Sequence, residues 1–164
     1  MKELNIAQAQ RLTAPAPFAL LSTLKEDGGV NLMAVSWWTY LSNHPPMLGV
    51  CLSKKGLSGS LITANGEFGL SIVGEALKDA ALRCGTCSGR SIDKPTEFGI
   101  ALSPASILRT PLVTESRVCF ECRLVSQAEA SDHVLYIAEI AAVCGDDTCP
   151  QLFAFDGYAR LGTV

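Results

Sequence analysis

Asn31-Leu32-Met33-Ala34-Val35-Ser36-Trp37-Trp38-Thr39, followed after a short interval by Pro45-Pro46-Met47, is the stretch that decides how this chain reads. A half-buried strand alternates apolar and polar residues, but this one interleaves Asn31, Ser36 and Thr39 with bulky apolar groups. Two uses fit. It is an edge strand whose tryptophans fill the core, or its backbone amides meet the polar edge of a flat heterocycle. In the second case Asn31 and Ser36 add side-chain hydrogen bonds, and Met33 or Trp37 covers a ring face.

Outward from that stretch, residues 18–25 and 30–36 read as two strands. Between them Glu26-Asp27-Gly28-Gly29 supplies glycines able to take the positive φ of a tight hairpin. Asn43-His44-Pro45-Pro46 turns the chain into a third apolar strand at 47–52. Residues 58–65 read as a short helix stopped by Gly66, a left-handed C-cap. A strand at 67–73 and a helix over about 75–83 follow. Residues 84–99, rich in Gly, Ser and Asp, read as irregular. Strands are expected at 118–126 and 134–143. Residues 133–144 would also form an apolar helix, but their Val, Ile and Tyr content favours strand. At the amino end Leu4, Ala7 and Leu12 are spaced for one helical face over 3–12, ended by Pro15 and Pro17. Short strands, turns and a few small helices predict a mostly β, closed or partly open antiparallel barrel. Strands and long helices do not alternate, which excludes a doubly wound sheet. The 164 residues are expected to form one domain over 1–164.

Only 18% of residues are charged while 48% are hydrophobic, against roughly a quarter charged in an average soluble domain. Apolar contact beyond an ordinary core is implied, in a subunit interface or a ligand pocket. The net charge of −3 points to no particular partner. Without a basic run there is no footprint for nucleic acid. No apolar stretch reaches the roughly 18 residues of a membrane span. Met1-Lys2-Glu3-Leu4-Asn5 lacks a signal peptide's basic start and apolar centre, so a cytoplasmic location is expected.

The seven cysteines are an odd number, which a fully paired framework does not allow. Cys84/Cys87 and Cys119/Cys122 are Cys-x-x-Cys pairs that together could supply four thiolates to zinc. Cys119 and Cys122 lie in a strand-like run, however, where residues three apart point to opposite faces. Reduced thiols, several of them buried as small hydrophobes, are the expectation, and no metal site.

The stretch quoted first, with Pro45-Pro46-Met47-Leu48-Gly49-Val50, closely resembles the opening signature of the flavin reductase-like FMN-binding family. The resemblance continues in order through Ser58…Ile62…Asn65-Gly66-Glu67-Phe68, Cys84-Gly85…Ser88-Gly89-Arg90…Asp93-Lys94, Glu121-Cys122-Arg123-Leu124 and Asp132-His133. It covers roughly residues 15 to 145. It implies a six-stranded antiparallel Greek-key split barrel, a homodimer, and FMN held non-covalently near the subunit interface.

Carried over by position, the resemblance sets Asn31, Met33, Ala34, Val35, Ser36 and Trp37 around the isoalloxazine and ribityl portion. Leu52, Ser53, Lys54, Lys55 and Ser58 would hold the phosphate. Ser58 also lies at an expected helix start, where free amides and the dipole favour an anion. The alternative for Lys54 and Lys55 is ordinary solvated charge. Gly89 beside Ser88 lets a loop approach a ligand, and Arg90 and Lys94 could neutralise phosphate or reduced flavin. The resemblance places His133 near flavin and nicotinamide, in a proton-relay or positioning role; otherwise it is a strand-end histidine held by Asp132. Three departures stand out. Ser58 replaces a common threonine, Ser131 stands where the family has glycine before Asp-His, and Pro95 follows Lys94 where an aromatic is usual. Phe155 and Tyr158 would pack, or cap the partner's flavin.

The implied activity is an NAD(P)H-dependent flavin reductase, with NADH or NADPH as a transient co-substrate. No Gly-x-Gly-x-x-Gly is present, so the nicotinamide would lie shallowly over the flavin. The alternatives are a flavoredoxin-like carrier that exchanges electrons with a protein redox partner, and a non-redox flavin sensor or empty barrel.

Overall fold

The structure, a computed structural model, describes residues 1–164. A hairpin opens the main sheet: β2 (Ala19–Leu24) and β3 (Val30–Val35) follow a short β1 (Ala16–Pro17) and the helix α1 (Ile6–Leu12). Gly28 turns the hairpin at φ 83. β4 (Trp38–Asn43), β5 (Pro46–Ser53), α2 (Leu57–Asn65) and β6 (Glu67–Val73) come next, and Gly66 closes α2 at φ 69. A 3-10 turn at Glu75–Leu77 leads into α3 (Lys78–Cys84), then α4 (Lys94–Phe98) and a short pair β7 (Leu102–Ser103) and β8 (Leu112–Val113). Two long strands, β9 (Ser116–Ala130) and β10 (His133–Gly145), complete the body. β11 (Phe153–Phe155) and β12 (Arg160–Gly162) end it, forming a small sheet with β1.

The main sheet runs β3-β2-β6-β9-β10-β5-β4, every pairing antiparallel. Its outer members, β3 and β4, are joined in the chain by Ser36 and Trp37 alone. Two strands at opposite edges cannot be consecutive unless the sheet curls until those edges approach. The Trp37 carbonyl accepts from Cys51 N–H at 2.8 Å as the chain changes edge. The sheet therefore counts seven strands instead of the six expected, because this kink divides one run into β3 and β4.

Inside the curl lie Leu21, Val35, Leu48, Val50, Phe68, Leu70, Phe120 and Tyr136. A second core under α3 and the carboxyl-terminal strands takes Phe18, Leu20, Leu32, Ala34, Ala81, Leu152 and Leu161. β2 and the middle of β3 are thus covered on both faces, which is why that sequence does not alternate.

Other expectations are corrected. Residues 84–99 contain a helix, α4, because Pro95 falls in its first turn, where a missing N–H costs nothing. Residues 75–83 divide into the 3-10 turn and α3. The strands expected at 118–126 and 134–143 are longer, and the added part of β9, residues 127–130, is exposed and carries no apolar signal. The amino-terminal helix starts at an Asn5–Gln8 capping box, yet buries none of its residues. No helix is long and apolar enough to cross a membrane.

A strap over residues 104–111 is tied to the sheet by two buried carboxylates. Glu121 Oε1 accepts from Ser106 N–H and O–H, both at 2.6 Å, and Oε2 from the N–H groups of Ile107 and Leu108 at 2.8 Å. Glu67 Oε1 accepts from Arg109 N–H, Thr110 N–H and Thr110 O–H at 2.9 Å.

Candidate functional site

The kink between β3 and β4 opens a cavity of about 440 Å³, within the range of small-molecule pockets. Its floor is the end of β3, Met33, Ala34 and Val35, continuing into Ser36 and Trp37. Cys51, Leu52 and Ser53 at the end of β5, and His133 at the start of β10, form one wall. Ala81, Leu82, Gly85 and Thr86, on α3 and just beyond it, form the other, and Tyr158 closes the far end. The lining is mostly apolar.

Ser36 is the polar residue at the kink itself. Its N–H donates to the Tyr158 hydroxyl at 2.8 Å. Its own hydroxyl oxygen is buried and has no hydrogen-bond partner. A buried hydroxyl without a partner costs on the order of 1–3 kcal/mol, so this atom is an unmet polar group in the cavity floor. At the rim, Trp37 is 46% exposed and its ring lies 5.0 Å from that of His133, tilted by 35°. His133 Nδ1 is 2.9 Å from Asp132 Oδ1. That bond to the histidine holds the Asp132 carboxyl below its ordinary value. With Nδ1 engaged, Nε2 is the ring nitrogen left for other partners. Burial, then the Asp132 charge, pushes the neighbouring Cys51 thiol up.

Behind the cavity sits a buried polar cluster. The Asn31 amide donates from Nδ2 to Ser58 Oγ at 3.0 Å and to Thr23 Oγ1 at 3.2 Å. Gly89 packs directly on the other end of that amide, and a Cβ there would collide with Asn31 Oδ1. Ser58 is in the first turn of α2, whose N-cap, Gly56, has no side chain to occupy the free amides. Lys94 is also buried, with Nζ donating to the Cys84 carbonyl at 2.7 Å. Burial lowers its pKa, while the thiols of Cys87 and Cys84 act in the opposite direction.

Of the residues singled out in the sequence, Met33, Ala34, Val35, Ser36, Trp37, Leu52, Ser53 and His133 meet around one cavity. Asn31, Ser58 and Gly89 meet in the cluster behind it. Lys54, Lys55, Ser88 and Arg90 are exposed and outside the cavity lining. Lys54 pairs with Glu129 at 2.7 Å. Cys51, Ala81, Leu82 and Thr86 join the lining without having been singled out, because three-dimensional proximity alone brings them there. Tyr158 stands in its own chain's cavity.

The profile of the flavin reductase like domain matches residues 11–162. The NADH-dependent flavin reductase StyB of Pseudomonas fluorescens is 33% identical over 141 residues, which is 84% of this chain and 76% of that protein. An uncharacterized protein of Archaeoglobus fulgidus is 33% identical over 118 residues, 71% of this chain and 66% of its own length. The match to this relative thus spans just under two thirds of its length. Among solved structures, flavoredoxin of Desulfovibrio vulgaris (Miyazaki F) superposes with a TM-score of 0.87 at 27% identity, covering 100% of this chain and 93% of that one. The FMN-binding protein from Thermus thermophilus, at 22% identity and a TM-score of 0.85, covers 99% of this chain and 94% of its own, and shows the fold alone.

Proposed function

The chain belongs to the flavin reductase like domain family, and on that premise we propose that it binds FMN in the cavity at the β3–β4 kink and uses it to oxidise NADH or NADPH. The observation that carries this reading is Ser36 Oγ, buried and unpartnered at the floor of a largely apolar cavity. Bound there, the flavin supplies a hydride-accepting ring, and the protein supplies orientation and electrostatics.

Met33, Val35 and Leu52 keep water from the ring site. Ser36 would offer its hydroxyl to a polar ring edge, while its N–H is held by the Tyr158 hydroxyl. Trp37 and His133 form the rim over which a nicotinamide would lie, and Asp132 holds the His133 ring through Nδ1. The phosphate belongs at the amino end of α2, where uncapped amides and Ser58 favour an anion. Lys54 and Lys55 stand just before that end. Lys54 leaves Glu129 at little cost, because an exposed ion pair is weak. Ser88 and Arg90, exposed on either side of Gly89, would add polar contacts to that phosphate. Lys94 is a positioning residue here, tying α4 to the end of α3 through the Cys84 carbonyl.

We further propose a homodimer in which the exposed Tyr40 and Leu41 along the β4 edge are covered, the whole chain acting as one unit in the cytoplasm. The likeness to flavoredoxin at 27% identity across the full chain supports a second reading, an FMN electron carrier with a protein redox partner. Anaerobic addition of NADH or NADPH to FMN-loaded protein separates the two. Bleaching within seconds is expected of the reductase, whereas colour that persists until a chemical reductant is added supports the carrier.

Removing the phosphate contacts is expected to weaken FMN binding, and Ser58→Ala also costs about 1–3 kcal/mol of stability because the Asn31 amide loses an acceptor. Ser58→Ala and Lys54→Ala should each raise the dissociation constant about tenfold, the equivalent of one charge-assisted hydrogen bond. Fluorescence titration of each apoprotein with FMN checks this; unchanged affinity in both would move the phosphate elsewhere.

A further inference from the structure

The sequence offers Cys119 and Cys122 as a spaced pair, but the sheet re-pairs Cys119 with a different residue. In the β9–β10 register Cys119 stands directly opposite Cys144. Directly opposed residues of antiparallel strands point to the same face, with Cβ atoms about 4.5–5.5 Å apart. A disulfide needs about 3.5–4.5 Å, so a small inward movement of the two strands closes the gap. Cys122, three residues on, is opposite Ile140 and buried in the core.

The two thiols differ in access. Cys144 is exposed, at the edge of a shallow surface hollow lined by Arg117, Val118, Asp146 and Asp147. Cys119 is buried, its Sγ 3.5 Å from Ser71 Oγ and 3.4 Å from the Val113 carbonyl. One reachable thiol facing one sheltered thiol is the arrangement of an attacking and a resolving cysteine.

We propose that Cys144 and Cys119 form a reversible thiol–disulfide site, remote from the flavin cavity, that takes a low-molecular-weight disulfide as its oxidant. The Cys144 thiolate attacks one sulfur of the small disulfide. That S–S bond breaks, one small thiolate leaves and takes up a proton, and a mixed disulfide forms on Cys144. Cys119 then loses its proton to solvent and attacks Cys144 Sγ, expelling the second small thiol. Two protein thiols are oxidised to one disulfide, and one small disulfide is reduced to two thiols. Burial raises the Cys119 thiol's pKa, and the hydroxyls of Ser71 and Ser116 offset part of that, so the second step accelerates with rising pH. A bond across directly opposed strands is strained and reopens readily with excess small thiol.

The test is incubation of the reduced full-length protein with glutathione disulfide, followed by non-reducing peptide mapping by mass spectrometry. The expected wild-type product is a peptide linking Cys119 to Cys144, with no retained glutathione. Cys119→Ser is expected to trap glutathione on Cys144, and Cys144→Ser to leave Cys119 unmodified. Stable glutathione on wild-type Cys144, a Cys144–Cys149 link in its place, or no reaction at Cys144 would each overturn the proposal. The readout is independent of flavin, so it stands or falls separately from the function proposed above.

Discussion

Glu121→Gln is expected to lower the free energy of unfolding by about 3 kcal/mol at neutral pH, although glutamine has nearly the same shape. Glu121 is 3% exposed and sits in the middle of the apolar strand β9. Its two oxygens accept four hydrogen bonds, three from backbone N–H groups of the strap and one from the Ser106 hydroxyl. Glutamine keeps one acceptor and turns an NH2 donor towards N–H donors, leaving buried groups unpaired. Hydrogen bonds to a charged group contribute roughly 1.5–3 kcal/mol each, and an unpaired buried donor costs roughly 1–3 kcal/mol. Urea unfolding of the two proteins checks it, and a midpoint shift too small to resolve would contradict it.

The same carboxylate predicts an acid limb. Burial alone would push its pKa up, but the bonds from Ser106, Leu108 and Ile107 outweigh that and hold it at about 2, below the ordinary 4.5. The folded value is depressed, so the stabilisation is complete above about pH 4.5 and is lost as pH falls towards 2. Glu121→Gln should lack this component, and its stability should change less than wild type between those values.

The second large effect is expected at Asn31. Asn31→Ala removes the amide that donates to Ser58 and Thr23 and leaves a small void, costing about 2–3 kcal/mol of stability. FMN affinity falls about tenfold as well, because Ser58 loses the partner that fixes its hydroxyl. Gly89→Ala should reproduce the same defects, since its Cβ would occupy the place of Asn31 Oδ1 and expel the amide. If both act through that amide, the double variant will be little worse than either single one, with strong non-additivity in a mutant cycle. Full additivity in FMN affinity would separate Gly89 from Asn31.

Much of the frame was legible because its signals are local. Gly28 and Gly66 take the left-handed conformations that their places after a strand and a helix demand. Of the polar residues interrupting 31–39, Ser36 marks the kink and the cavity floor, and Asn31 anchors the polar cluster behind it. Residues 134–143 form a strand and not a helix because β-branched and aromatic residues line the alternating inner face of β10. Pro95 hid α4, since a proline looks like a breaker unless it falls in the first turn. β4 was hidden by its burial pattern, which leaves Tyr40 and Leu41 exposed. The α3 wall and Tyr158 lie more than 40 residues along the chain from the Ser36–Trp37 kink, and no local pattern encodes their arrival there. Glu121 and Glu67 stand in otherwise apolar strands, but their partners in the strap carry no motif that would reveal the pairing. Lys54 reads in sequence as a free cation, and its partner Glu129 lies on the exposed extension of β9.

The central claim is that the cavity at the Ser36–Trp37 kink holds the flavin ring. Titration of flavin-free protein with FMN, following flavin emission in the wild type and in Trp37→Phe, tests it most directly, because an indole quenches flavin emission only at near contact. Trp37 borders the cavity, while Trp38 packs against the sheet core. One FMN per chain is expected to bind, with its emission quenched in the wild type and partly recovered in Trp37→Phe while flavin absorbance still reports binding. Bound FMN equally emissive in the two proteins would place the ring away from the kink, and an absence of FMN uptake by either would contradict the flavin assignment altogether.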